Sequence, residues 1–74
     1  MTGINENNIL LRLVKKGSPQ SVVFFEDLKD KYMIHVAKVK TSTGDTVIES
    51  QIIRPDLEQW IELYKRKGYV EKEN

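Results

Sequence analysis

A change of period is the strongest constraint in this chain. From Tyr32 to Thr41 the residues alternate: Tyr32, Ile34 and Val36 share one side and lead into Lys38 and Lys40, while Met33, His35, Ala37 and Val39 share the other. Thr46 to Ile53 alternates again, with Val47, Glu49, Gln51 and Ile53 against Ile48, Ser50 and Ile52. Successive side chains of an extended strand point to opposite faces, so both runs read as strands. The polar segment Thr41-Ser42-Thr43-Gly44-Asp45 between them carries a Gly for a positive-φ turn, which predicts a hairpin. The alternation stops at Arg54-Pro55, because Pro cannot donate to a central ladder. Beyond it Leu57, Trp60, Ile61 and Tyr64 recur at i, i+3, i+4 and i+7, one apolar stripe of a helix.

The helix is well marked at both ends. Asp56 is placed to cap it, with Gln59 three residues on to complete a capping box. Glu58 and Glu62 lie early and Lys65, Arg66 and Lys67 late, in the order the helix dipole favours. Gly68 fits the left-handed position after the last turn, with Tyr69 or Val70 packing back. Trp60 is expected to be the main anchor of the helix against the sheet.

Upstream, Asn8 to Lys16 is rich in Leu and Ile and ends at Gly17-Ser18-Pro19, which favours a strand. Ser21 to Phe25 reads as a second strand, rich in Val and Phe. The charged segment from Glu26 to Lys31 is either a turn or one helical turn. The expected architecture is thus α+β: a four-stranded antiparallel sheet followed by one C-terminal helix. Residues 1–8 read as a flexible N-terminal arm, 9–70 as a single domain and 71–74 as a polar tail. One helix covers one sheet face, yet both parities of the first three strands hold apolar residues. An uncovered apolar face is costly in water, so a homodimer or another partner is expected.

Length and composition narrow the possibilities further. A chain of 74 residues makes one domain with a marginal core of its own. It has no Cys, which removes disulfides and thiolate metal sites. The longest apolar runs fall far short of the roughly 20 residues of a membrane span. The polar start from Met1 to Asn8 does not resemble a signal peptide, and with the absence of Cys it fits a cytoplasmic protein. The net charge is +1, with +2 on residues 1–20, 0 on 21–45 and −1 on 46–74, so only a local patch supplies a basic field.

Enzyme chemistry is poorly represented, and no enzymatic activity is expected. There is one His, no Cys and no nucleophile elbow. His35 lies within the best strand, where a packed or edge residue is the plain reading. Glu26, Asp27 and Asp30 cluster without the ligand spacing of a calcium loop. Gly17 and Gly44 are isolated, so no phosphate loop is formed. No metal or other cofactor is implied. What remains is a basic patch: Lys38 and Lys40 extend one face of the third strand, and Arg12, Lys15 and Lys16 end the first. Single strands of nucleic acid are held by cationic grooves with rings that stack on bases, and Phe24, Phe25 and Tyr32 are near enough to supply them. The competing reading makes the Phe pair core and the lysines edge protection.

Two segments carry a family resemblance. Asp27-Leu28-Lys29-Asp30-Lys31-Tyr32-Met33-Ile34-His35-Val36 is similar to a short Asp-x-Lys turn opening an Ile-rich strand, and Pro55-Asp56-Leu57-Glu58-Gln59-Trp60-Ile61-Glu62-Leu63 to a Pro-led helix start with Glu-Gln-Trp and a Leu three residues on. With four strands before one helix, the stretch from Val22 to Lys67 resembles the single-stranded-DNA-binding domain of the positive cofactor four family of transcriptional coactivators. The resemblance implies a dimer whose sheet grips single strands, with Lys29, Lys31, Lys38 and Lys40 on phosphates. The leading expectation is a non-enzymatic, single-stranded nucleic-acid-binding module associated with transcription. The alternative is a small protein-binding regulator or inhibitor of the phage accessory type, docking through an apolar sheet face or edge strand.

Overall fold

A computed structural model describes residues 7–72. Strands β1 (Ile9–Val14), β2 (Gln20–Glu26), β3 (Met33–Lys40) and β4 (Thr46–Ile53) form an antiparallel meander. A 3-10 turn, Arg54–Asp56, leads into helix α1 (Leu57–Arg66), and a short strand β5 (Val70–Glu71) follows. The sheet order is β4-β3-β2-β1-β5. The helix therefore carries the chain from one edge of the sheet to the other, across one face.

The α+β class and the single C-terminal helix match the sequence reading, but the sheet has five strands rather than four. Val70 and Glu71 pair antiparallel with Val14 and Leu13, and the Lys72 N–H donates to the Arg12 carbonyl at 2.9 Å. Glu71 and Lys72, in the segment expected as a polar tail, are thus held by the outer edge of β1. Residues 1–6 of the expected arm and 73–74 of the tail lie outside the described residues. Asn8 is buried and tied: its Nδ2 donates to the Glu26 carbonyl at 2.9 Å, and its own carbonyl accepts from Glu26 N–H at 2.8 Å.

Strand alternation divides the core in two. Leu13, Val22, Phe24, Ile34, Val36 and Ile52 face the helix and close around Tyr64, with Leu11, Leu57, Trp60, Ile61 and Tyr69 packed at the margin. On the opposite face Val23, Phe25 and Ala37 are buried, with Ile9 and Val39 against them. Trp60 is half-buried, and Tyr64 is the one buried residue of the helix. The stripe is as expected, but its centre lies one turn later, where Tyr64 meets Phe24 edge-to-face at 6.1 Å and Tyr69 at 5.4 Å.

Both helix ends differ in detail from a simple capping scheme. Asp56 is already helical and its side chain makes no capping bond, because Pro55 winds the chain into the 3-10 turn before α1 begins. At the other end Gly68 adopts φ +102, Tyr69 N–H donates to the Tyr64 carbonyl and Gly68 N–H to the Lys65 carbonyl. This is a Schellman stop, sealed by the Tyr64–Tyr69 contact. Tyr64→Ala is expected to cost about 3–5 kcal/mol in urea unfolding, as large aromatic truncations do, and more than Trp60→Ala.

Candidate nucleic-acid interface

The meander decides where each cation goes. β1 and β3 run the same way, so Lys15 and Lys16 after β1 and Lys40 at the end of β3 lie at one end of the sheet. Lys40 pairs with Gln20, and Thr41 N–H donates to the Pro19 carbonyl at 3.0 Å, joining the two turns at that end. Val70 pairs with Val14 there, which brings in the close of the helix. A side chain on Gly68 would meet Lys15 Cε at 3.3 Å. The end of the helix, with Lys65, Arg66 and Lys67, therefore abuts the Lys15 turn.

Two tyrosine rings sit within this group of lysines. Lys15 Nζ lies 5.9 Å from the Tyr69 ring centre and Lys67 Nζ 5.3 Å from that of Tyr64, within cation–π range. Burial raises the Tyr64 hydroxyl above its ordinary pKa; Glu49 adds to the rise and Lys38 opposes it. Next to these, on the helix side of the sheet, a cleft of about 480 Å³ is lined by Gln20, Lys38, Lys40, Asp45, Val47 and Glu49. Lys38 Nζ is 3.4 Å from Glu49 Oε1. Glu49 is the extra residue of a bulge in β4, since Ser50 opposes Val36 and Ile48 opposes Ala37.

The opposite end has another character. Asp27 builds the β2–β3 connection: its Oδ2 accepts from Lys29 N–H at 2.9 Å and Asp30 N–H at 3.0 Å, and its Oδ1 from His35 Nε2 at 2.8 Å. The segment from Glu26 to Lys31 is accordingly a turn and not a helical one. Arg54 pairs with Glu26 and donates to the Lys31 carbonyl at 2.8 Å through Nη2 and at 3.0 Å through Nε. Lys29 and Lys31 are exposed at this end with Tyr32, which is 54% exposed. The helix also starts here, with Asp56 and Glu58.

The ten residues singled out from the sequence thus do not form one surface. Lys15, Lys16, Lys38 and Lys40 are brought together. Lys29, Lys31 and Tyr32 lie at the far end, roughly 25 Å away along an eight-residue strand. Arg12 pairs with Val23, on the face turned from the helix. Phe24 and Phe25 are 0% and 2% exposed and point to opposite faces, so neither offers a ring to a base. That part of the expectation is corrected: both faces of β2 are covered. Lys65 and Lys67 join the site although the sequence reading assigned them only to the helix dipole. Their one signal was Gly68, which ends the helix beside the first turn.

His35 is a positioned side chain of another kind. Its ring stacks on Phe25 at 5.0 Å and its Nε2 proton is held by Asp27. Its Nδ1 is buried without a hydrogen-bond partner. The nitrogen that would meet a substrate is sealed in, and the pair works as a tie between β3 and the turn. Among the described residues no group of three or more His, Cys, Asp or Glu is arranged to hold a metal ion. Among the same described residues no helix is long and apolar enough to cross a membrane. The chain matches no protein-family model, no curated protein and no solved structure.

The hydrogen bond from His35, followed by that from Lys29 N–H, holds the Asp27 carboxyl below its ordinary pKa of 3.8. A depressed carboxylate stabilises the fold above the unfolded-state value and loses that contribution as pH falls through the folded-state value. Stability measured by urea unfolding is therefore expected to drop below pH 3.8, and Asp27→Asn to flatten that drop while lowering stability at neutral pH.

Proposed function

We propose that this chain is a non-enzymatic module that binds the phosphates of single-stranded nucleic acid at its lysine-rich end. One observation carries the reading. Lys15, Lys16, Lys38, Lys40, Lys65 and Lys67, six of the twelve basic residues, lie at the end of the sheet where the helix closes. A nearly neutral chain thereby acquires a local positive field, which is what sequence-independent phosphate binding needs. A single strand suits the site better than a duplex. The outer helix surface carries Glu58 and Glu62 with Gln59, Leu63 and a single cation, Arg66, so its net negative charge disfavours a groove. A place near transcription rests on the resemblance to the positive cofactor four family alone.

Asp45 and Glu49 interleave with Lys38 and Lys40 in the cleft. That mixture supports a second reading, a regulator that docks a protein of complementary charge.

The test is a titration of a labelled oligothymidylate across a range of salt. Counterion release gives a log–log slope of about −0.7 per phosphate, so three or four contacts give roughly −2 to −3. The double reversal Lys38→Glu with Lys40→Glu is expected to weaken binding and flatten the slope, with only a small fall in melting temperature from loss of the half-exposed Lys38–Glu49 pair. Lys29→Glu, at the other end, is expected to have the smaller effect. Absence of binding at low salt removes the nucleic-acid reading and leaves the protein-docking one.

A further inference from the structure

Helix α1 crosses its face of the sheet on the diagonal and leaves one corner open. It starts just after Ile53, which pairs with Met33, and ends beside the Lys15 turn at the other edge and the other end. The start of β4 and the end of β3 therefore have no helix over them. One row of paired residues shows the change: Val22 is buried, Lys38 is half-exposed and Val47 is 65% exposed. In the next row Gln20 pairs with Lys40, and Lys40 N–H donates to the Asp45 carbonyl at 2.8 Å. These five residues and Glu49 line the cleft of about 480 Å³, a volume typical of sites for small ligands.

Charge in the cleft is sorted by strand. Lys38 and Lys40 stand on β3, whereas Glu49 stands on β4 and Asp45 just before it. Lys38 and Glu49 already engage each other at 3.4 Å. Among the described residues the side chains of Gln20, Lys40 and Asp45 make no hydrogen bond or ion pair. A carboxylate only accepts hydrogen bonds and repels a phosphate, so the Asp45 side calls for a donor group. The Lys40 side calls for an anion. Between them Val47 offers the apolar surface of the lining.

Given single-strand binding at the lysine-rich end, on which this inference rests, we propose that the open corner is a base subsite that selects a nucleobase bearing an exocyclic amino group. Cytosine, adenine and guanine nucleotides each join an anionic phosphate to an amino donor through a flat ring. The phosphate goes to Lys40, the ring lies against Val47, and the amino group donates to the Asp45 carboxylate, as carboxylates accept from the cytosine amine in base readout. Thymine and uracil carry carbonyl oxygens in place of that amino group and would set them against the carboxylate. Gln20, with both a donor and an acceptor, is placed to meet the rest of the base edge. Asp45 is the reader because Glu49 is taken by Lys38. The carboxylates among the lysines thus weaken general phosphate binding and supply a choice of base in return.

The test compares a labelled oligothymidylate with versions in which one central thymine is replaced by cytosine, adenine or guanine, at low salt. Each replacement is expected to tighten binding by about fivefold or more, the low end of discrimination for a good contact to a base edge. Asp45→Ala removes an exposed side chain that bonds to nothing else in the fold. It is expected to erase the preference and, by removing a negative charge near the phosphates, to tighten binding of the all-thymine strand. A merely structural role for Asp45 would instead weaken every oligomer alike, and that result would overturn the proposal. So would equal affinity of the wild type for all four strands, or a preference that survives Asp45→Ala; both leave phosphate binding standing. Absence of binding to any of the four removes the base subsite together with the single-strand reading.

Discussion

Two consecutive phenylalanines on β2 make the demand that the rest of the structure meets. In an extended strand Phe24 and Phe25 must point to opposite faces, and both are buried. A sheet with one wet face cannot accommodate that pair. The helix answers on one side: Tyr64 comes down edge-on to Phe24 at 6.1 Å. On the other side His35 stacks on Phe25 at 5.0 Å, and Val23 and Ala37 complete the cluster. The histidine is thus a substitute for apolar cover, and Asp27 fixes its orientation. The order of the strands follows from the same demand. β2 and β3, the two most buried strands, sit inside the sheet, and the more polar β4 and β5 take its edges.

Much of this was legible from residue pattern, and the failures have definable causes. β4 spans Thr46–Ile53 as its alternation implied, because Gly44 and Pro55 bracket it. Gly68 marked the end of the helix correctly, since positive φ is hard to achieve otherwise. Alternation could not show that the second face is covered, so the Phe24 and Phe25 rings looked available for stacking. Helical spacing located the apolar stripe but not its midline, and the largest ring, Trp60, drew attention from Tyr64. β5 was not legible at all. Two residues carry no period, and the strand exists because β1 has an edge for it.

The candidate site shows the same division. That Lys15, Lys16 and Lys40 share an end follows from an antiparallel meander, in which every second strand finishes on the same side. Lys65 and Lys67 depend on where the helix lands, a tertiary fact set by β5 and the Schellman stop. Lys29 and Lys31 were drawn in by resemblance, and the meander sends them to the other end. Twelve basic and eleven acidic residues thus give a molecule with an electrical axis despite a net charge of only +1.

β5 also bears on how the chain comes apart. Its two residues are exposed, and it pairs with the sheet at Leu13 and Val14, with the Lys72 N–H on the Arg12 carbonyl just beyond it. Little apolar surface would be uncovered by lifting it, so its opening belongs to the low-energy end of native fluctuations. Each such event bares the outer edge of β1 and releases the tether on the last turn of the helix. The first step of unfolding therefore starts at the junction of the first and last strands, while β2 and β3 stay closed around the phenylalanines. A protease that needs an extended segment would make its earliest cut after α1, well before the meander loses its pairing.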